Sequence, residues 1–136
     1  MAGKPVFEDL FAFSGRRNRM SYFLYIVVYF FLLIGAIALG GAFAADWAAV
    51  MTATEAGQAV PASAISPIPL VALGLFIIVM TISSWAVASQ RCRDMGVTGW
   101  LVLVQLIPYI NLIFALVLLF WPGTDGDNAF GEDPRG

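Results

Sequence analysis

The residues in this chain best suited to chemistry are arginines in two short runs, Gly15-Arg16-Arg17-Asn18-Arg19 and Arg91-Cys92-Arg93-Asp94. Guanidinium groups present a planar fork of donors that fits a carboxylate or a phosphate. If a helix begins near residue 16, Arg16 and Arg19 stand one turn apart on a common face. In the second run Arg91 reaches Asp94 at i, i+3, near a helix carboxyl end that favours cations. An Asp94 carboxylate that also reached Arg16 or Arg19 would tie two helices together. Arg16, Arg19, Arg91 and Asp94 therefore form the candidate cluster, and two readings are open. It captures an anionic headgroup or carboxylate, or it is a structural and topogenic collar that snorkels to any lipid phosphate.

Other chemistries are poorly supplied. The chain has no histidine and a single cysteine, Cys92, so a histidine-based triad, a zinc site, a haem or an iron–sulfur centre lacks its usual ligands. The Cys92 thiol lies between two arginines that could lower its pKa, but a lone juxtamembrane cysteine reads as incidental. Asp125, Asp127 and Asn128 in the tail faintly resemble a calcium loop without the ligand spacing of an EF-hand, and tight glycine turns are the better reading. The net charge of −2 offers no basic surface for a nucleic-acid backbone. No catalytic residue, metal or cofactor is assigned, and the chain is expected not to be an enzyme.

The elements that must position these arginines follow from hydropathy. With 60% hydrophobic and 12% charged residues over 136 positions, the apolar side chains need a solvent other than water. The expected fold is all-α, an integral membrane bundle of three transmembrane helices with a short amphipathic amino-terminal segment. Residues 1–19 carry the basic run and the pattern Val6, Phe7, Leu10, Phe11, which predicts a short interfacial helix, with a frayed terminus as the alternative. Residues 20–45 hold no charge and form the first span. A cleaved signal peptide competes with that reading, but the apolar run is too long and too aromatic for a signal core. Residues 46–66 read as an exposed loop, and 67–89 as the second span, opened by Pro67 and Pro69. Residues 90–99 form a polar turn, 100–121 a third span bracketed by Trp100 and Trp121, and 122–136 a Gly/Asp-rich tail. Pro108 and Asn111 fall near the middle of the third span, where proline kinks a helix. A re-entrant hairpin turning at Pro108-Tyr109-Ile110-Asn111 is the alternative, since each half is too short to cross.

Lysine and arginine gather in segments 1–19 and 90–99 and are missing from 46–66, which places the amino terminus in the cytoplasm. A full third crossing puts the tail outside; a re-entrant one keeps it inside. Ala36, Gly40, Ala44 and Ala48 recur every four residues and mark a helix-packing face along the first helix and its extension, turned either inward or toward another copy.

Three groups of residues together resemble a known family. Phe13-Ser14-Gly15-Arg16, Arg19 and Tyr22 come first; Arg91, Asp94, Gly96 and Gly99-Trp100 follow; Gly126, Asn128, Phe130-Gly131 and Asp133-Pro134 close the set. In this order and spacing they resemble the domain of unknown function 805 family of small bacterial inner membrane proteins. The resemblance implies a multi-pass inner-membrane location, a fold of a few transmembrane helices, no established activity, and a defined cluster of Arg16, Arg19, Arg91 and Asp94. The family usually has paired basic residues, leucine and histidine before the aspartate. Here those positions read Gln90, Arg91, Cys92 and Arg93, so a mechanism that needs a titrating histidine is in doubt.

Two functions are weighed. One is a non-enzymatic scaffold or accessory subunit that holds a membrane protein partner or a second copy. The other is an anionic-lipid-binding or small-solute-handling protein. The polar residues within the spans, chiefly Thr81, Ser83, Ser84, Gln105 and Asn111, are few for a solute path, so the scaffold reading leads, with membrane lipids as the surroundings in either case.

Overall fold

In the computed structural model, which describes residues 4–135, every regular element is helical: α1 (Arg19–Ala44), α2 (Trp47–Glu55), α3 (Pro67–Asp94) and α4 (Ile110–Phe120), with 3₁₀ turns at Ala62–Ala64 and Gly99–Leu106. The first three residues of the expected segment 1–19 and the last residue of the tail 122–136 lie outside the described residues.

Two helices are long and apolar enough to cross a membrane. At 1.5 Å per residue the 26 residues of α1 and the 28 of α3 run to about 39 and 42 Å, more than the roughly 30 Å of hydrocarbon. Their apolar surface is not a protein core: in the most apolar 18-residue window only 6% of α1 and 17% of α3 is buried. Phe31 is 75% exposed and Ile68 77%, which water would penalise and lipid does not.

The chain divides into two compact units, residues 4–29 with 81–135, and Phe30–Met80. In the second unit, a side chain built on Gly40 would come within 2.9 Å of Leu73 Cδ2, so Gly40 is where α1 admits a side chain of α3. Ala36 and Gly40 also line a groove there with Pro69, Ala72 and Phe76, and Ala44 is buried. The small-residue strip thus meets α3 of the same chain.

Residues 46–66 are more ordered than the expected loop. Asp46 caps α2 by accepting a bond from the Ala49 amide at 3.2 Å. Asp46 N–H donates to the Ala64 carbonyl and Ser66 N–H to the Ala44 carbonyl, both at 2.8 Å, which closes the excursion at its base.

Three further expectations change. Residues 4–18 form turns and no helix, because their carbonyls are taken by side chains from elsewhere rather than by amides four residues on. Asp9 and Gly15 adopt positive φ of 52° and 76°, and neither fits a helix interior. Phe7 and Phe11 are exposed, while Val6 and Leu10 pack on the core of the first unit. Second, α3 continues to Asp94, so the polar turn is shorter than 90–99. Gly96, two residues past the last helical position, closes α3 through its φ of 77° and the bond from Gly96 N–H to the Arg93 carbonyl.

Third, 100–121 is not one helix. The 3₁₀ stretch Gly99–Leu106 packs against α4, and the chain reverses between them at Tyr109, with φ 69° and ψ −46°. The Ile110 amide donates to the Pro108 carbonyl at 2.9 Å across Tyr109, a γ-turn of the rarer and more strained hand. Pro108 thus marks a reversal where a kink was expected, and Asn111 lies in the first turn of α4. Eight residues of 3₁₀ helix and eleven of α-helix each rise about 16 Å, half of the hydrocarbon thickness.

Candidate functional site: a buried arginine lock

Four pieces of the first unit converge on Asp94: the segment before α1, the carboxyl end of α3, the carboxyl end of α4 and the tail. Asn18 starts α1 by accepting a bond from the Ser21 amide at 2.8 Å, which leaves Arg16 and Arg17 just ahead of the helix, where the two side chains serve different partners.

Arg16 turns toward Asp94. Its Nε and Nη2 donate to Asp94 Oδ1 at 3.3 and 3.1 Å, and its remaining bonds run to the Thr124, Gly126 and Gly131 carbonyls at 2.8, 2.7 and 3.2 Å and to Thr124 Oγ1 at 3.1 Å. Arg91 reaches the other carboxylate oxygen, Asp94 Oδ2, through Nη1; it donates from Nε to the Leu118 carbonyl at 2.9 Å and from Nη2 to the Trp121 carbonyl. The side chains of Arg16, Arg91 and Asp94 are 1%, 0% and 3% exposed. Burial this deep is tolerated because each guanidinium is both paired and hydrogen-bonded.

Arg17 is buried as completely and meets no carboxylate within ion-pair range among the described residues. Its Nε donates to Gln90 Oε1 at 3.1 Å, Nη1 to Ser21 Oγ at 2.7 Å and to the Pro5 and Val6 carbonyls, and Nη2 to the Glu8 carbonyl. Gln90 relays the contact, its Nε2 donating to the Asp9 and Ala12 carbonyls, both at 2.7 Å. Burial pulls the Arg17 guanidinium below arginine's ordinary pKa, and the Asp9 charge opposes that shift. The turn carrying Asp9 is itself pinned by the Lys4–Asp9 pair at 2.8 Å, which holds the Asp9 carboxyl below its usual value.

The tail is fastened through its backbone. Thr124 N–H and Oγ1–H both donate to the Asp94 carbonyl, at 2.7 and 2.9 Å, and Asn128 Nδ2 donates to the Arg93 carbonyl at 2.9 Å. A Cβ on Gly123 would fall on the Asp94 carboxylate, so only glycine lets the tail pass so close. Gly126 and Gly131 take φ of 72° and 136° in the turns beyond, and Phe130 is half-buried there. Arg135 joins Asp133 and Asp125 at the tail's outer edge, at 3.0 and 2.8 Å, and its bonds hold the Asp133 carboxyl well below the usual carboxylate range.

Of the predicted residues, Arg16, Arg91 and Asp94 come together. Arg19 does not: it is the first residue of α1, exposed, with no hydrogen-bond or ion-pair partner among the described residues. Its place in the first unit is taken by Arg17 and Gln90, which spacing did not single out. Cys92 is fully buried in the core beside Tyr22, Tyr25, Val87 and Leu118.

Chemically the lock is closed. The donors of Arg16, Arg17 and Arg91 already face Asp94, Gln90, Ser21, Thr124 and main-chain carbonyls, so a ligand that bound them would have to displace the fold.

Comparison with known proteins agrees with this picture of a membrane protein. The curated relatives include the inner membrane protein YhaH of Escherichia coli K12 and of Escherichia coli O157:H7, each 39% identical over 51 residues, or 38% of this chain. The match spans only 42% of those relatives' length. No solved structure matches the chain. The family model described as "Protein of unknown function (DUF805)" matches residues 10–132, a stretch that takes in Arg16, Arg17, Gln90, Arg91 and Asp94: the chain belongs to the DUF805 family.

Proposed function

We propose that the protein is a non-enzymatic scaffold or accessory subunit of the bacterial inner membrane, with two full crossings, a re-entrant hairpin, and a rigid cytoplasmic face built from both termini. The observation that carries this reading is the lock itself. Arg16, Arg17 and Arg91 are committed to main-chain carbonyls of the amino-terminal turns, α4 and the tail. That use of charge holds a surface in shape.

The topology rests on the same contacts. Arg16 precedes α1, yet it bonds Thr124 and Gly126 beyond α4, so the two ends of the chain share one side. The third segment then enters the membrane and returns, reaching about half-way at Tyr109, in place of the third full crossing. On this arrangement all seven lysines and arginines, Lys4, Arg16, Arg17, Arg19, Arg91, Arg93 and Arg135, lie on one side, and residues 46–66 on the other carry none. The positive-inside rule makes that side the cytoplasm. The relatives' location in the inner membrane supports the address.

A scaffold needs a partner and no turnover of its own. Photo-cross-linking residues placed at Asp127 and Ala129, both exposed on the tail, should give one discrete protein adduct in cells. Its yield should fall severalfold in Arg16→Gln. Purified chain in liposomes should pass no small solute above the empty-liposome background. Solute flux by the purified chain, or no adduct at either position, would overturn the proposal.

A further inference from the structure

Arg93 is the arginine that the lock leaves over. Its carbonyl accepts from Asn128, but its guanidinium Nη1 is buried with no hydrogen-bond partner among the described residues. A buried donor left unpaired costs stability, and a guanidinium left so is an unfilled request for an anion. Beside it opens a cleft of about 450 Å³, lined by Phe13, Trp85, Ser89, Trp100, Val102 and Leu103. Gly99 keeps it open: a Cβ there would lie 2.8 Å from Arg93 Nη2 and collide with Ser89 Oγ.

The walls and the base differ in character. Arg93 and the Ser89 hydroxyl supply polar donors, and the rest of the lining is aromatic or aliphatic. Trp100, 77% exposed at the start of the 3₁₀ stretch, sits where α3 has ended and the chain re-enters apolar sequence, the headgroup depth that tryptophan favours. A ligand that satisfies both parts has an anionic group attached to a hydrocarbon chain.

We infer that this cleft is a binding site for an anionic phospholipid, the phosphate on Arg93 with Ser89 beside it and the first acyl carbons against Trp85, Trp100 and Leu103. The site is separate from the arginine lock and stands on the cleft alone. It takes one lipid per chain, unlike a diffuse basic collar, and it needs Arg93 where the exposed Arg19 contributes nothing.

Native mass spectrometry of the full chain in mild detergent, titrated with phosphatidylglycerol, phosphatidylcholine or inorganic phosphate, tests it. One phosphatidylglycerol should be retained per chain, about tenfold tighter than phosphatidylcholine, as a charge-assisted bond to a buried guanidinium allows. Arg93→Gln should abolish that preference and Arg19→Gln should keep it. Leu103→Trp, which fills the half-exposed wall while leaving the charge, should weaken both lipids. Thermal unfolding of each variant separates lost binding from lost folding, and the two substitutions act through different features, so misfolding of one leaves the other to decide. Equal retention of the two lipids by the natural chain, unchanged preference in Arg93→Gln, or displacement of the lipid by millimolar phosphate would overturn the assignment.

Discussion

Replacing Asp94 by asparagine keeps its shape and removes the one negative charge shared by Arg16 and Arg91. Both guanidiniums, 1% and 0% exposed, would then be buried without a counter-charge. Removing one partner of a buried pair costs about 3–5 kcal/mol. Here the lower end applies, because Arg16 keeps the Thr124 and Gly126 carbonyls, Arg91 keeps the Leu118 carbonyl, and an asparagine oxygen still accepts one bond. A loss of about 3 kcal/mol is roughly a hundredfold in the unfolding equilibrium and about 10 °C in midpoint for a chain of this size. The assay is thermal or denaturant unfolding in detergent, run beside Arg19→Gln, which removes an exposed charge and should shift stability by less than about 0.5 kcal/mol. Combining Asp94→Asn with Arg16→Gln should cost less than the two single losses added, because each already breaks the same contact. If Asp94→Asn stays within about 0.5 kcal/mol of the natural chain, or the double variant is additive, Asp94 is not the residue that holds Arg16 and Arg91 in place.

Gly123→Ala places a methyl group on the Asp94 carboxylate and should cost about 1–3 kcal/mol while releasing the tail to proteolysis after Pro122; unchanged protection of the tail would count against the close approach. Asp46→Ala removes the cap of α2 and should cost about 0.5–2 kcal/mol, with faster hydrogen exchange at the Ala49 amide as the local readout. The Asp133 carboxyl is depressed by its Arg135 bonds, so its contribution to the tail turn is present above the unfolded-state value of about 3.9 and is lost as pH falls through the lower folded value. A carbon-detected titration should therefore find Asp133 ionised at pH 3, and an ordinary value would contradict the pairing.

The long elements were legible because hydrophobicity alone specifies them: the uncharged runs 20–45 and 67–89 became α1 and most of α3. The pairing of Arg91 with Asp94 followed from helical spacing, and a tie from Asp94 across to Arg16 or Arg19 from the need to neutralise a carboxylate; the structure makes it with Arg16. What spacing could not supply was where α1 begins. With Asn18 as cap, Arg16 and Arg17 precede the helix and Arg19 starts it, so the helical face assumed for Arg16 and Arg19 does not exist. The amphipathic pattern at Val6, Phe7, Leu10 and Phe11 misled for a related reason. The Val6 carbonyl and those of neighbouring Glu8 and Asp9 are claimed by Arg17 and Gln90, donors distant in sequence whose reach no local period reveals. The α2 helix did carry a signal, an aspartate three residues ahead of the amide it caps, hidden in an alanine-rich stretch that reads as loop. Pro108 announced a break in the third segment, but the sense of the break depended on Tyr109 adopting positive φ, which a tyrosine does not advertise.

In the proposed topology the lock holds both ends of the chain on one side of the membrane, with the third segment entering and returning. A paired reporter at the carboxyl terminus tests this most directly: a fluorescent protein that folds only in the cytoplasm, and a phosphatase active only outside it. The expected result is a fluorescent and phosphatase-negative carboxyl terminus, matching a cytoplasmic reporter at the amino terminus, and both unchanged in Arg93→Gln. Phosphatase activity at the carboxyl terminus with a cytoplasmic amino terminus would mean that 100–121 crosses completely, and the lock as described could not exist.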